Sequence, residues 1–405
     1  MKFWGAVSVL AALTVSGCRS PGHVLGRRAP APVELPVVGR APIEPDVAAI
    51  PATSVRPLQR PEQYRQLTAA ECRHLAIRQA PFATDLDQHA DNHPPAFRRI
   101  QKNATRQAEV SRLVRGYAAD ELRNRAAADA LTEFYQLLQA EGQWDRLRSA
   151  HHELHTQIMA AEKAEATGFK DRADIPALRR RLLDLEAQLA QVQATIAALN
   201  ASLRSRLGLL AHDPLPLWPS DPLRVKPDDV DADQAVLIGL HYRPDLNLLR
   251  VLADGTAGEL TNAVLQSVSP LLASTKSSHP LTALLGPIFA PLLKEPHRQQ
   301  AEANARVRSA LLARERQAEA EIRAAAVLLR GHRATIAARA MDVQHIDRRI
   351  AELETRQQSG LNVSAELATA RLERHQADSA LLRAVIDWHT TEVKLRQAMG
   401  LLIRE

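Results

Sequence analysis

Few residues in this sequence are spaced for chemistry. His151 and His155 lie one helical turn apart, and with His152 they could present imidazoles to a zinc ion. His152-Glu153-Leu154-His155 is one residue short of the zinc-hydrolase pattern, however, and solvated helix histidines are the better reading. Cys18 and Cys72 are the whole thiol inventory, and Cys72 stands where a small core residue is expected at the start of a helix. Two carboxylates, Asp174 and Glu366, follow Gly168 and Gly360 at the same distance. In the first turn of a helix the macrodipole favours such groups, which accounts for them without a ligand. There is no phosphate-cradling glycine loop, cysteine cluster or nucleophile elbow. Nothing supports an enzyme, and no cofactor or metal is implied.

The elements that would position these groups are helical. Leu178, Leu182, Leu185, Leu189, Val192, Ile196, Leu199, Leu203 and Leu207 follow steps of four and three in alternation until the last, which is a coiled-coil seam. The end of that seam, Leu203-Arg204-Ser205-Arg206-Leu207-Gly208-Leu209-Leu210, matches Leu395-Arg396-Gln397-Ala398-Met399-Gly400-Leu401-Leu402 at an offset of 192 residues, and the same offset relates Gly168 to Gly360. A period this long is not a solenoid unit. It implies two homologous halves, 62–212 and 231–405, each holding a helical hairpin. The expected fold is all-α, built of long antiparallel hairpins.

In the first half, Thr68 and Glu71 form a capping-box pattern flanked by Leu67 and Cys72 as a hydrophobic staple. A proline-free run rich in Ala, Leu, Arg and Glu predicts a helix from about Ala104 to Ala166, and about 60 residues at 1.5 Å each make a rod of about 90 Å. Gly168 to Asp174 is the turn, and the seam helix returns from Ile175. Pro214, Pro216, Pro219, Pro222 and Pro227 mark a crossover over 213–230. The second half then opens with a helix from about Asp231 that carries Ala235 to Leu246.

Ahead of the folded body, Lys2, the apolar run Val7 to Val15 and Val15-Ser16-Gly17-Cys18 resemble a bacterial lipoprotein signal over 1–17. That resemblance implies cleavage before Cys18 and acylation of its sulfur, and two or three acyl chains at about 0.8 kcal/mol per methylene anchor a protein stably. Arg19 after the cysteine favours delivery to the outer membrane. Residues 18–61 are broken by nine prolines between Pro21 and Pro61 and show no hydrophobic period, so they form a tether. The formal charge of +6 could suggest nucleic acid, but Lys, Arg, Asp and Glu are interleaved along helical faces and aromatic content is only 3%. Stacking platforms are therefore scarce, and nucleic acid is not an expected partner.

Arg243-Pro244-Asp245-Leu246 after an apolar turn, then a long helix, a glycine hairpin turn and a closing helix, resembles the TolC family of outer-membrane efflux proteins. Leu67-Thr68-Ala69-Ala70-Glu71 is similar to the start of that family's first repeat, and the similarity runs from about Tyr64 to Leu402. It implies a homotrimer whose helices form a hollow periplasmic barrel. It also implies hairpin tips that meet a periplasmic adaptor of an inner-membrane pump, here Gly168, Phe169, Arg172 and Asp174 in one half and Gly360, Leu361, Ser364 and Leu367 in the other. Alignment from the glycine puts Glu366 and Thr369 at the family's pore constriction, where three Glu366 carboxylates would attract cations.

The family's transmembrane strands should fall in Pro81 to Asn103 and Gln266 to Arg298. Neither window has the alternation of a membrane strand, and Pro270, Pro280, Pro287, Pro291 and Pro296 would interrupt its ladder. The β-barrel strands are therefore expected to be lost or vestigial. Two functions follow: the outer channel of a tripartite efflux or type I secretion system, or a barrel-less, lipid-anchored coiled-coil spacer.

Overall fold

The computed structural model describes residues 64–80, 83–84, 86, 102–167, 174–209, 215–226, 230–255, 285, 300–361 and 363–404. The expected signal, Cys18 and the tether lie outside the described residues, as do most of the two windows expected to carry membrane strands.

Seven helices and two short strands make up the described chain. Strand β1 (Arg65–Leu67) leads into α1 (Ala69–Arg78). The capping box forms: Thr68 Oγ1 accepts from Glu71 N at 3.1 Å, and Glu71 Oε2 accepts from Thr68 N at 2.9 Å. Leu67 and Cys72 are buried in one cluster with Phe134, Leu137 and Leu203. The first hairpin is α2 (Lys102–Ala166) and α3 (Ile175–Arg206), and the second is α6 (Gln300–Gln358) and α7 (Ser364–Ala398). At 1.5 Å per residue α2 is about 97 Å long.

Two sequence expectations need correction. The crossover contains a strand, β2 (Leu217–Pro219), which pairs in parallel with β1 in the register Arg65 to Leu217, Gln66 to Trp218 and Leu67 to Pro219. The opening helix of the second half is two helices, α4 (Ala232–Tyr242) and α5 (Pro244–Gly255). Pro244 has no N–H and excludes helical ψ from the residue before it; Arg243 accordingly adopts φ −63°, ψ 120° and ends α4.

The long helices pack as a layer in the order α6, α7, α2, α3. Leu381, Ala384 and Val385 of α7 meet Ile322, Leu329 and Ile336 of α6. On the other side of α7, Leu382 and Ile386 meet Phe134 and Leu137 of α2, and α2 in turn buries the seam of α3 through Leu154 and Ile158 against Leu178, Leu182 and Leu185. Beyond the end of α7, helix α5 fills the gap between α2 and α6, with Leu248, Leu249 and Leu252 against Val114, Ala118 and Val307. Among the described residues β1 and β2 are the only strands and close no barrel, and no helix is long and apolar enough to cross a membrane.

Candidate functional site: a helical wall, its edges and its tips

The second hairpin tip is held by local backbone chemistry. Gly360 N–H donates to Gln357 O at 3.0 Å and Leu361 N–H to Arg356 O at 3.1 Å, a Schellman closure of α6. It puts Gly360 at φ +86°, and a Cβ there would meet nothing within 4 Å, so the backbone angle alone asks for glycine. Leu361 and Ser364 are exposed, and Ser364 Oγ accepts from Gln357 Nε2 at 3.3 Å. Glu366 is an exposed first-turn residue of α7, and exposed Thr369 turns its hydroxyl onto Ala365 O at 2.9 Å. Leu367 departs from the tip surface expected of it. It is buried against Leu353 and Ala370 and holds the hairpin together instead of facing a partner.

At the first tip, Gly168, Phe169 and Arg172 lie outside the described residues. Asp174 is the N-cap of α3, its Oδ1 accepting from Ala177 N at 3.1 Å. His151 bridges to Glu186 of α3 at 3.2 Å, while His152 and His155 are exposed. No group of metal-ligating side chains large enough for an ion occurs among the described residues.

Arg243, Pro244, Asp245 and Leu246 form a buried elbow. Asp245 Oδ1 accepts from Arg243 Nε and Leu246 N, both at 2.8 Å, and its Oδ2 accepts from Arg314 Nε at 2.7 Å. Arg243 Nη1 also reaches Glu321 Oε2 at 2.7 Å. Beside the elbow, Gly400 closes α7 at φ +70°, and a Cβ on it would lie 2.9 Å from both Arg243 Cα and Tyr242 O. The motif thus locks α4, α5, α6 and α7 at one point. Sequence reading missed Glu121, which shares the site: burial first, then the nearby Asp245 charge, push its carboxyl above the usual range, and its bond to Arg125 at 2.5 Å only partly offsets this.

The duplication exposes a relation between the edges of the wall. Along α7, the residues turned to α2 include Leu382 and Ile386, His389 stacked on Tyr135 at 5.0 Å, and Val393 against Ala128 and Leu131. Subtracting the 192-residue offset gives Ala190, Ala194, Ala197 and Ala201 of α3, all exposed. The outer edge of α6 carries a similar exposed stripe, Ala320, Ala324, Val327, Gly331, Ala338 and Met341, at three- and four-residue spacing except for seven between Gly331 and Ala338. The same offset relates Ala320 and Val327 to Ala128 and Tyr135 of α2, which pack on α7, so the wall ends on both sides in faces that have packed counterparts at its centre.

Solved proteins superpose on most of this chain. The outer membrane channel CmeC of Campylobacter jejuni superposes with a TM-score of 0.56 at 11% identity, over 82% of this chain and 85% of that one. Outer membrane protein VceC of Vibrio cholerae superposes at 0.52 with 15% identity, over 82% and 93%. The outer-membrane channel OprN does so at 0.57 with 14% identity, over 88% and 98%. This chain has the TolC-type fold. No protein-family model and no curated protein matches the sequence, so the TolC-type likeness is carried by three-dimensional arrangement and by the few motifs at its elbows and caps.

Proposed function

We propose that the protein is the outer-membrane-anchored, periplasmic channel component of a tripartite efflux or type I secretion system. Three copies stand side by side, the α3 edge of one against the α6 edge of the next, and close a hollow helical tube. The observation that carries this reading is the pair of exposed small-residue edges whose counterparts pack together within the chain. Such an interface is heterologous and closes into a ring when its rotation allows, and small residues let helices approach closely in the 3-4 packing mode.

In this reading the hairpin tips, Gly168, Phe169, Arg172 and Asp174 with Gly360, Leu361 and Ser364, meet a periplasmic adaptor that links the tube to an inner-membrane pump. Glu366 and Thr369 lie at the constriction. Acylated Cys18 holds the assembly to the outer membrane. The alternative, a lipid-anchored spacer without conduction, draws on the proline-broken window between Gln266 and Arg298. The deciding measurement is the mass of the lipid-bearing protein in mild detergent, by light scattering corrected for detergent. A trimer is expected, and a monomer removes the enclosed pore and leaves the spacer.

A further inference from the structure

We infer that the face of the helical wall left uncovered by the described residues is a binding surface for soluble multivalent anions, solutes bearing several carboxylates or phosphates. The inference rests on the proposed tube only for the statement that this face points inward. One side of the wall carries the short elements: Leu223 and Val225 pack with Trp388 and Leu395, and Lys226 Nζ reaches Glu392 at 3.2 Å. The opposite side of α7 presents Arg383, Asp387 and Lys394, all exposed. In a closed ring the side bearing extra elements has room only on the convex outside, which turns the bare side to the lumen.

Three grooves open on the bare side. One of about 460 Å³, over α7 between α6 and α2, sets Arg339 and Arg383 against one carboxylate, Asp387. A second of about 390 Å³, nearer the end of α7, holds Arg125, Arg243, Arg314 and Lys394 against Glu121 and Glu321. The third, about 420 Å³ and between α3 and α7, sets Arg146 and Arg181 against Asp184.

Cations outnumber carboxylates in every groove. Several are engaged, Arg243 and Arg314 by Asp245 and Glu321 and Arg125 by Glu121. Each groove nevertheless keeps one exposed cation that forms no ion pair among the described residues: Arg383, Lys394 and Arg181. Arg383 and Lys394 are about 16 Å apart along α7 by helical rise. A single exposed charge attracts a counter-ion weakly in water, so the preferred solute carries several charges at once. Low-dielectric walls with an excess of positive charge focus the field on such a solute. Glu366 stands at the far end of α7, so the grooves lie behind an acidic mouth and are best read by binding.

The test is fluorescence anisotropy of pyranine, a trisulfonated dye, with the full-length protein in detergent at low salt. Saturable binding is expected, weakened at least tenfold by Arg181→Glu combined with Arg383→Glu and Lys394→Glu. These positions are exposed, so the fold should tolerate the changes, and circular dichroism checks that it does. Arg224→Glu with Lys226→Glu, on the covered side, should leave binding unchanged. Absence of saturable binding, or equal loss in both variants, overturns the inference. Flotation with phosphatidylglycerol vesicles that disappears in the triple variant also overturns it, by assigning the grooves to lipid headgroups. Because each groove lies within one chain, a monomer that binds dye would overturn the tube and keep this inference, while a trimer that does not bind would do the reverse.

Discussion

Burial without hydrogen-bond partners makes His389 a pH-sensitive residue of the wall. Its ring lies stacked on Tyr135 and edge-on to Trp388; neither nitrogen has a hydrogen-bond partner among the described residues, and Nδ1 stands 3.8 Å from Glu392 Oε2. Burial, with the Lys226 and Arg396 charges adding to it and Glu392 opposing, lowers its pKa from 6.5 to about 4. The unfolded chain therefore takes up this proton first as pH falls. The contribution is fully present above about pH 6.5, declines as pH drops and levels off below about pH 4, a change of roughly 3 kcal/mol. Other carboxylates add slopes of their own, so the readout is a difference between proteins. His389→Phe keeps the stack with Tyr135, and urea midpoints at pH 7.5 and pH 4.5 should lie closer together in that variant than in the parent. Cys72 is the opposite kind of buried group. Burial first, then the Glu133 and Asp221 charges, push its thiol up to about 12, which leaves it inert as a nucleophile.

Among the elements, the helix caps separate two reasons for glycine. Gly360 and Gly400 both end helices at positive φ, yet only Gly400 is crowded by backbone. Gly360→Ala should cost about 1 kcal/mol, the conformational term alone. Gly400→Ala should cost clearly more, because the Arg243 elbow must also move, and thermal unfolding of the two variants checks the order. Several of these element ends were legible in the sequence, because caps, prolines and seams act over a few residues: the Thr68 box and the start of α3 at Ile175 need no distant partner. The parallel pairing of β1 with β2 was not legible. Three residues such as Leu217, Trp218 and Pro219 among prolines carry no period, and their partners lie 152 positions away.

For the molecule as a whole, the α3 and α6 edges decide between a closed tube and a free-standing wall. Ala194→Trp places a large ring on the exposed stripe of α3, where the chain itself makes no demand. It should leave helicity and monomer stability nearly unchanged while shifting the detergent-extracted protein from trimer to monomer in light scattering. Gln191→Trp, an equally exposed position about a quarter-turn around α3 from the stripe, should leave the mass unaltered. If both behave alike, the edge is not the interface.

Spacing along the chain and the backbone preferences of glycine, proline and capping residues were enough to dictate the long helices, the turn at Gly360, the 192-residue offset and the seam that joins α3 to α2. Which faces remain free was settled only when the helices came together. Spacing marks Ala187, Ala190, Ala194, Ala197 and Ala201 as a possible second, flatter contact face, but only packing shows that they stay exposed while α7, 192 residues on, buries Leu382 and Ile386 at the places of Ala190 and Ala194 against α2. The same is true of the elbow, where Arg314 and Glu321 belong with Arg243 and Asp245 only because α6 passes beside them. Burial depends on what arrives from elsewhere in the chain, and local periodicity carries no record of that.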